Sequence, residues 1–390
     1  YCQHHERRIT AGFLAFCMVL TILPLGILPA RAESVASPNT IVVDGSKYAL
    51  TARDLFYAII TANDGDTIDI DDMVGVIKSV TITSSTGSSL IRDAGFTSGS
   101  MLFVQSGVTL TLKKITLNGN NVEGSSAIHL SAAHLIMEDQ TVIKNCNAGT
   151  YLGGAVYAPD NGTTITMNDS TISGSSATHG GGVYMDSGTI TMNDSTISGN
   201  TASYGGGIFL ASGSANITGG SIAGNTAKYG GGVHNSGNFT MIKSIISGNE
   251  ADYGGGAYNY NGTFIMIDST ISDNTATVGG GIFTESGSHI SMTGGLITHN
   301  TSSSTPGGGV YFYSGTFNVS GSACVTDNTA GTVPSNVYLK GGTSVLVAGD
   351  FTGAIGITKE DLIGTAVIGN ITADNKDQFF IDCMVKYGKD

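Results

Sequence analysis

Gly-Gly-Gly followed by an aliphatic and usually an aromatic residue returns at Gly180, Gly205, Gly230, Gly254, Gly279 and Gly307, preceded by the variant Gly153-Gly154-Ala155-Val156-Tyr157. A step of about 25 residues is an internal repeat, and repeats of that length stack as supersecondary units instead of closing one core. Other columns hold the same register. In Thr189-Ile190-Thr191-Met192-Asn193-Asp194-Ser195-Thr196-Ile197-Ser198-Gly199-Asn200, alternation puts Ile190 and Met192 on one face of a strand. The Asn-Asp pair breaks that strand before Ile197 turns inward again. Three apolar ladders result: Ile165, Ile190, Phe239, Phe264 and Ile290; Met167, Met192, Ile217, Met241, Met266 and Met292; and Ile172, Ile197, Ile222, Ile246, Ile271, Ile297 and Val325.

Corners repeat as regularly as strands. Ser-Gly or Asn-Gly stands at Asn161, Ser187, Ser212, Ser236, Asn261, Ser286 and Ser314, where a tight bend needs positive φ. Asn120, Asn200, Asn225, Asn249, Asn274, Asn300 and Asn328 mark a second corner, and the glycine cluster is the third. Such an Asn adopts left-handed dihedrals and bonds its amide to the next coil, a structural role. A leucine-rich repeat would show its own Leu pattern, and a propeller blade would need about 40 residues. The pattern therefore predicts an all-β, right-handed parallel β-helix of three-strand coils spaced about 4.8 Å apart.

Gly153-Gly154-Ala155-Val156 paired with a downstream Ile197-Ser198-Gly199-Asn200 resembles the repeats of polymorphic outer-membrane proteins of chlamydial type and related bacterial surface β-helices. That family pairs Gly-Gly-Ala-aliphatic with Phe-x-x-Asn. Here Ile replaces the Phe, Gly usually replaces the Ala, and the family's terminal membrane barrel has no counterpart. The resemblance spans residues 102–338 and implies an extracellular adhesin.

The ends read differently. Arg7 and Arg8, the apolar run 11–28 and Ala30-Arg31-Ala32 form an export signal that leaves Glu33 as the mature start, a reading preferred to an uncleaved membrane anchor. The expected division is a signal peptide at 1–32, an N-terminal cap and first coils at 33–100, regular glycine-rich coils at 101–335, and irregular final coils with a cap or linker at 336–390. Thr51 can cap a helix over 50–62 that closes the first coil, with Leu55, Ala58, Ile59 and Ala62 on one face. Cys146, Cys324 and Cys383 are too irregularly spaced for a disulfide framework or a metal site.

Function is less tightly bounded. The chain carries 57 glycines, no Trp and a net charge of −13, and its last Arg is Arg92. Without a basic stripe, nucleic acid is set aside as a partner. Polysaccharide lyases and glycosidases share β-helix folds, but they break the repeat with acidic and basic groups on one face. Here Asp169, Asp194 and Asp268 recur with the period, as turn residues do, and His179, His234, His289 and His299 are dispersed. Thr166, Thr191 and Thr240 are ordinary strand residues in an array too irregular to match an ice lattice. No catalytic residue, metal or cofactor is implied.

The column Tyr157, Tyr184, Phe209, Tyr258, Phe283 and Tyr311, continued by Tyr338 and broken by His234, holds the most functional potential. Facing outward it forms a stripe for stacking on sugars or a protein; facing inward it is a core ladder. Both orientations fit the pattern. The chain is thus expected to be a secreted or cell-surface adhesin whose partner is a host-cell surface or polysaccharide, with no membrane span after signal cleavage. The alternatives are a carbohydrate-active enzyme on the same fold and a passive spacer.

Overall fold

A computed structural model describes Thr40–Val42, Thr67–Ile70, residues 73–359 except 85, 86, 286, 305 and 342, and the strands Val367–Gly369 and Phe379–Ile381. The predicted export signal and cap helix lie outside the described residues.

Each coil places one strand in each of three long parallel sheets. The first holds strands such as Gly188–Asn193, the second Thr196–Ser198 and the third Ile208–Leu210, named below the Met, Ile and ring sheets. The Met sheet is 13-stranded, and its neighbours are successive coils. Registers repeat without slippage through the middle of the rod: Ile165 pairs with Ile190, Ile172 with Ile197, and Val183 with Ile208. A fourth, short sheet joins at Thr226–Tyr229, Glu250–Tyr253 and Thr275–Val278, where Ala227, Ala251 and Ala276 turn inward between polar residues.

All three predicted apolar ladders line the interior, and every member is buried. Each fully buried Ile or Met contributes about 1.5–3 kcal/mol relative to an exposed one, so identical residues in identical slots stabilise the stack coil by coil. Phe239 and Phe264 stack with centroids 5.0 Å apart inside this core.

The glycine corner works by close approach. The first glycine of each cluster has positive φ, as in Gly205 at 61°. The next lies where coils touch: a Cβ on Gly206 would sit 2.5 Å from the Gly231 carbonyl oxygen. The Ser-Gly corner is more varied. Gly162, Gly213, Gly287 and Gly315 take positive φ, while at the Asn261-Gly262 bend Asn261 itself does so.

The Asn corner corrects one expectation. Asn200, Asn225, Asn249, Asn274, Asn300 and Asn328 are buried, and the left-handed residue is the one before each: Gly199, Gly224, Gly248, Asp273, His299 and Asp327. The side chain is therefore turned inward, where Asn249 Oδ1 accepts from both the backbone N and the Nδ2 of Asn225. Asn120 is no part of this ladder; it is exposed with φ 56°.

Toward the C-terminal end the coil loses regularity. The Thr316–Gly321 and Val345–Phe351 strands shift register between Val319 and Gly321. Ala354–Lys359 pairs with both Cys324–Val325 and Val337–Leu339, merging the Ile and ring sheets into one. Near the other end, the buried Arg92 donates to the carbonyls of Phe96, Gly99, Ser125 and Ser126, tying two coils together without a carboxylate.

Candidate binding surface

The ring sheet orients the predicted site. In Val183-Tyr184-Met185 and Ile208-Phe209-Leu210 the flanking residues are fully buried, so alternation turns the middle residue away from the core. Tyr157, Tyr184, Phe209, Tyr258, Phe283 and Tyr311 thus stand in one column on the outer side of the sheet, and His234 and Tyr338 keep its register. The column extends further back than the sequence pattern indicated, through His129 to Phe103.

These rings stack on one another. Centroid separations are 5.3 Å for Tyr184 and Phe209, 4.7 Å for Phe209 and His234, 5.0 Å for His234 and Tyr258, and 5.3 Å for Tyr258 and Phe283. The spacing is set by the coil step, so each face is covered by its neighbour. An outward column was expected to offer faces for stacking on sugars; in the middle of this one only edges remain. Tyr258 and Phe283 are just 7% and 8% exposed.

A second row of rings accounts for that burial. His179, Tyr204, Tyr229 and Tyr253 stack with separations of 4.6, 4.9 and 5.3 Å, and they meet the first row edge to face: Tyr229 against Tyr258 at 5.3 Å, Tyr253 against Phe283 at 5.5 Å. The signal for this row was in the sequence, as the aromatic residue directly before a Gly-Gly-Gly cluster, but it occupies what reads as a turn.

Ring burial dominates the titration behaviour. Burial pushes the Tyr184 phenol up to about 12, with Asp186 and Tyr157 adding to the shift, and raises Tyr157 with help from Asp160 and Asp186. Tyr258 is raised by burial and by its hydrogen bond to Glu285. Burial lowers His129 and His179, and takes His234 down to about 4 with the aid of nearby His179. The Nδ1 atoms of His179 and His234 have no hydrogen-bond partner among the described residues, so both imidazoles are held by stacking.

On the flank past the ring sheet, two tyrosines break with this pattern. Tyr260 and Tyr313 are 47% and 39% exposed, and the Lys340 ammonium lies 4.1 Å from the Tyr313 ring centroid.

The periodic aspartates sit elsewhere, at the corner between the Met and Ile sheets. Asp169, Asp194 and Asp268 have φ of 46°, 46° and 45°, while Lys243, Gly219 and Gly294 take the same conformation in other coils. That geometry fits a bend residue, since one backbone conformation serves an acid, a base and a glycine alike. Among the described residues no three His, Cys, Asp or Glu side chains are grouped to hold a metal, and no helix is long and apolar enough to cross a membrane.

A family model for the right handed beta helix region matches residues 39–219 and 181–350. No curated protein matches the sequence. Among solved structures, the chain is similar to a mannuronic acid specific polysaccharide family 6 lyase from human gut microbiota, over 85% of this chain and 93% of that one, at 10% identity and a TM-score of 0.22. Likeness at that level says nothing about this chain's chemistry.

Proposed function

The chain belongs to the right-handed β-helix family, and on that premise we propose that it is a secreted or cell-surface protein, adhesin-like and non-catalytic, that presents a repetitive binding surface. The observation that carries this reading is the unbroken register of the exterior: one coil after another presents the same kind of residue at the same place, from Phe103 to Tyr338 on the ring sheet. A scaffold of this kind holds its exposed side chains at a fixed coil spacing, which suits an extended partner that itself repeats. The Gly-Gly-Ala-Val and Ile-x-x-Asn repeats support kinship with bacterial surface β-helices, and the basic pair and apolar run before residue 32 support export. The partner class is a host-cell surface or a polysaccharide. An acidic chain without Arg in its repeats is a poor match for nucleic acid.

One assay tests the reading. The purified chain is incubated with a panel of polysaccharides and cultured cells, and both retained protein and released saccharide products are recorded. Retention without products is the expected result. Release of products would replace the adhesin with a carbohydrate-active enzyme.

A further inference from the structure

Beside the ring ladder runs a mostly polar column, with Asp186, Ala211 and Ser236 in earlier coils, in which two exposed rings stand two coils apart. Asn259, Thr284, Phe312 and Leu339 pair in register, so the residues that follow them, Tyr260, Glu285, Tyr313 and Lys340, occupy the same place in successive coils. All four are anchored through the backbone: Tyr260 N to Asn235 O at 2.8 Å, Glu285 N to Asn259 O at 3.0 Å, Tyr313 N to Thr284 Oγ1 at 3.0 Å, and Lys340 N to Phe312 O at 3.0 Å. Their positions are fixed before any ligand arrives.

Tyr260 lies parallel to Tyr258, at an interplanar angle of 10°, and Tyr258 in turn lies 6° from Phe283 of the next coil. The Tyr260 plane therefore shares the ladder's orientation and turns a face toward the coil of Glu285. Two coils away, the Lys340 ammonium covers Tyr313 on one side. Two interstrand steps separate the tyrosines by about 10 Å, and a ring stacked between two others needs about that much room. Between the two tyrosines the sequence places the carboxylate of Glu285, which accepts a hydrogen bond from the Tyr258 hydroxyl.

Resting on the reading of the chain as a binding scaffold, we infer that this gap is a saccharide subsite: a neutral pyranose unit of a polysaccharide enters between Tyr260 and Tyr313 and donates hydroxyl hydrogen bonds to Glu285. The exposed rings supply apolar faces for the C–H side of the sugar. Glu285 at the floor, in a chain of net charge −13, disfavours uronates. An aromatic side chain of a partner protein has the right thickness too, but it brings one donor at most, from a Tyr or Trp, where a pyranose brings several hydroxyls.

Affinity electrophoresis of the full chain through gels carrying glucan, galactomannan, xylan or polygalacturonate tests the subsite. Retardation by at least one neutral polymer is expected, with little by polygalacturonate. Tyr260→Ala and Tyr313→Ala each weaken it roughly tenfold, as loss of a central aromatic contact does, while Tyr260→Phe keeps the ring and most of the affinity. Glu285→Phe fills the space between the tyrosines and abolishes retardation without lowering thermal stability, which separates blockage from misfolding. If Tyr260→Ala, Tyr313→Ala and Glu285→Phe are all retarded like the parent, the subsite is wrong and the scaffold reading stands. Preference for polygalacturonate, or retention only on protease-sensitive cell-surface protein, also overturns the subsite. A parent chain held by no polymer and no cell surface removes the scaffold reading as well.

Discussion

Two ladders run side by side through the middle of the rod, one residue per coil, and they are held by opposite means. Asn200 to Asn328 lies inside, where every polar atom needs a partner: Asn249 Nδ2 donates to Ile222 O at 3.0 Å and to Asn274 Oδ1 at 2.8 Å, and its Oδ1 takes two donors from Asn225. The ring ladder lies outside, where water can serve any phenol that lacks a partner, and face-to-face contact holds it. The difference teaches where a substitution is expensive. Inside, removing one side chain breaks bonds to both neighbouring coils and leaves a buried N–H without its acceptor; outside, it opens a gap that solvent fills.

The largest expected effect follows from that contrast. Asn249→Ala leaves the Asn225 N–H buried and unpaired and strips the side-chain donor from the Ile222 carbonyl, for a loss of about 3 kcal/mol in denaturant unfolding. Asn249→Asp is no rescue, because it sets an oxygen against the Ile222 and Asn274 oxygens. A change under about 0.5 kcal/mol for either variant would put the Asn ladder on the same footing as the rings.

His234 is the point at which the outer ladder behaves like the inner one. Its imidazole is buried between Phe209 and Tyr258, and its folded pKa is near 4 against an ordinary 6.5. Above pH 6.5 both folded and unfolded chains hold it neutral and it has no effect on stability. As pH falls from 6.5 to 4 the unfolded chain takes up the proton first, so stability declines and then levels off below 4. The loss is of order 2–3 kcal/mol, and His234→Phe removes that part of the acid slope while keeping the stack. An identical slope in the variant would show that His234 is solvated.

Which parts of this were legible in the sequence follows the same division. Inward residues repeat with little variation because one cross-section serves every coil, so Ile172, Met192 and Asn225 announced their columns. Outward residues are constrained only by their neighbours. The alternation that left the orientation of Tyr184 open is settled by the burial of Val183 and Met185 on either side. The Tyr204 to Tyr253 row escaped notice because its residues directly precede the Gly-Gly-Gly corner, and the covered ring faces follow from a spacing that only stacked coils reveal. Tyr260 and Tyr313 lie two coils apart with Glu285 between them, so no single column of like residues points to them.

Tyr184 measures the outer ladder alone. Its ring meets Tyr157 at 5.4 Å, tilted by 43°, and stacks on Phe209 at 5.3 Å, but stays partly exposed. Tyr184→Ala is expected to cost about 1–2 kcal/mol, less than Asn249→Ala, and Tyr184→Phe almost nothing. Neither should change polysaccharide retention on a folded protein, since both faces of the ring are already occupied. Lost retention at unchanged stability would mean that ring edges bind the partner.

The smallest effect is expected at the corner where neither ladder runs. Asp194 has φ 46°, and Gly219 and Gly294 occupy the equivalent place in other coils, so Asp194→Gly should leave the unfolding midpoint within the equivalent of about 0.5 kcal/mol. Asp194→Ala, lacking the short polar side chain that eases left-handed backbone, should cost about 1 kcal/mol. Thermal unfolding with calcium and with chelator separates this bend from an ion site, because a cation bound to the folded state alone must raise the midpoint. If calcium stabilises the parent and Asp194→Gly erases that gain, the aspartate column binds metal and the acidic corners join the functional surface. If neither moves, the repeat of Asp169, Asp194 and Asp268 records only the backbone conformation that the bend demands.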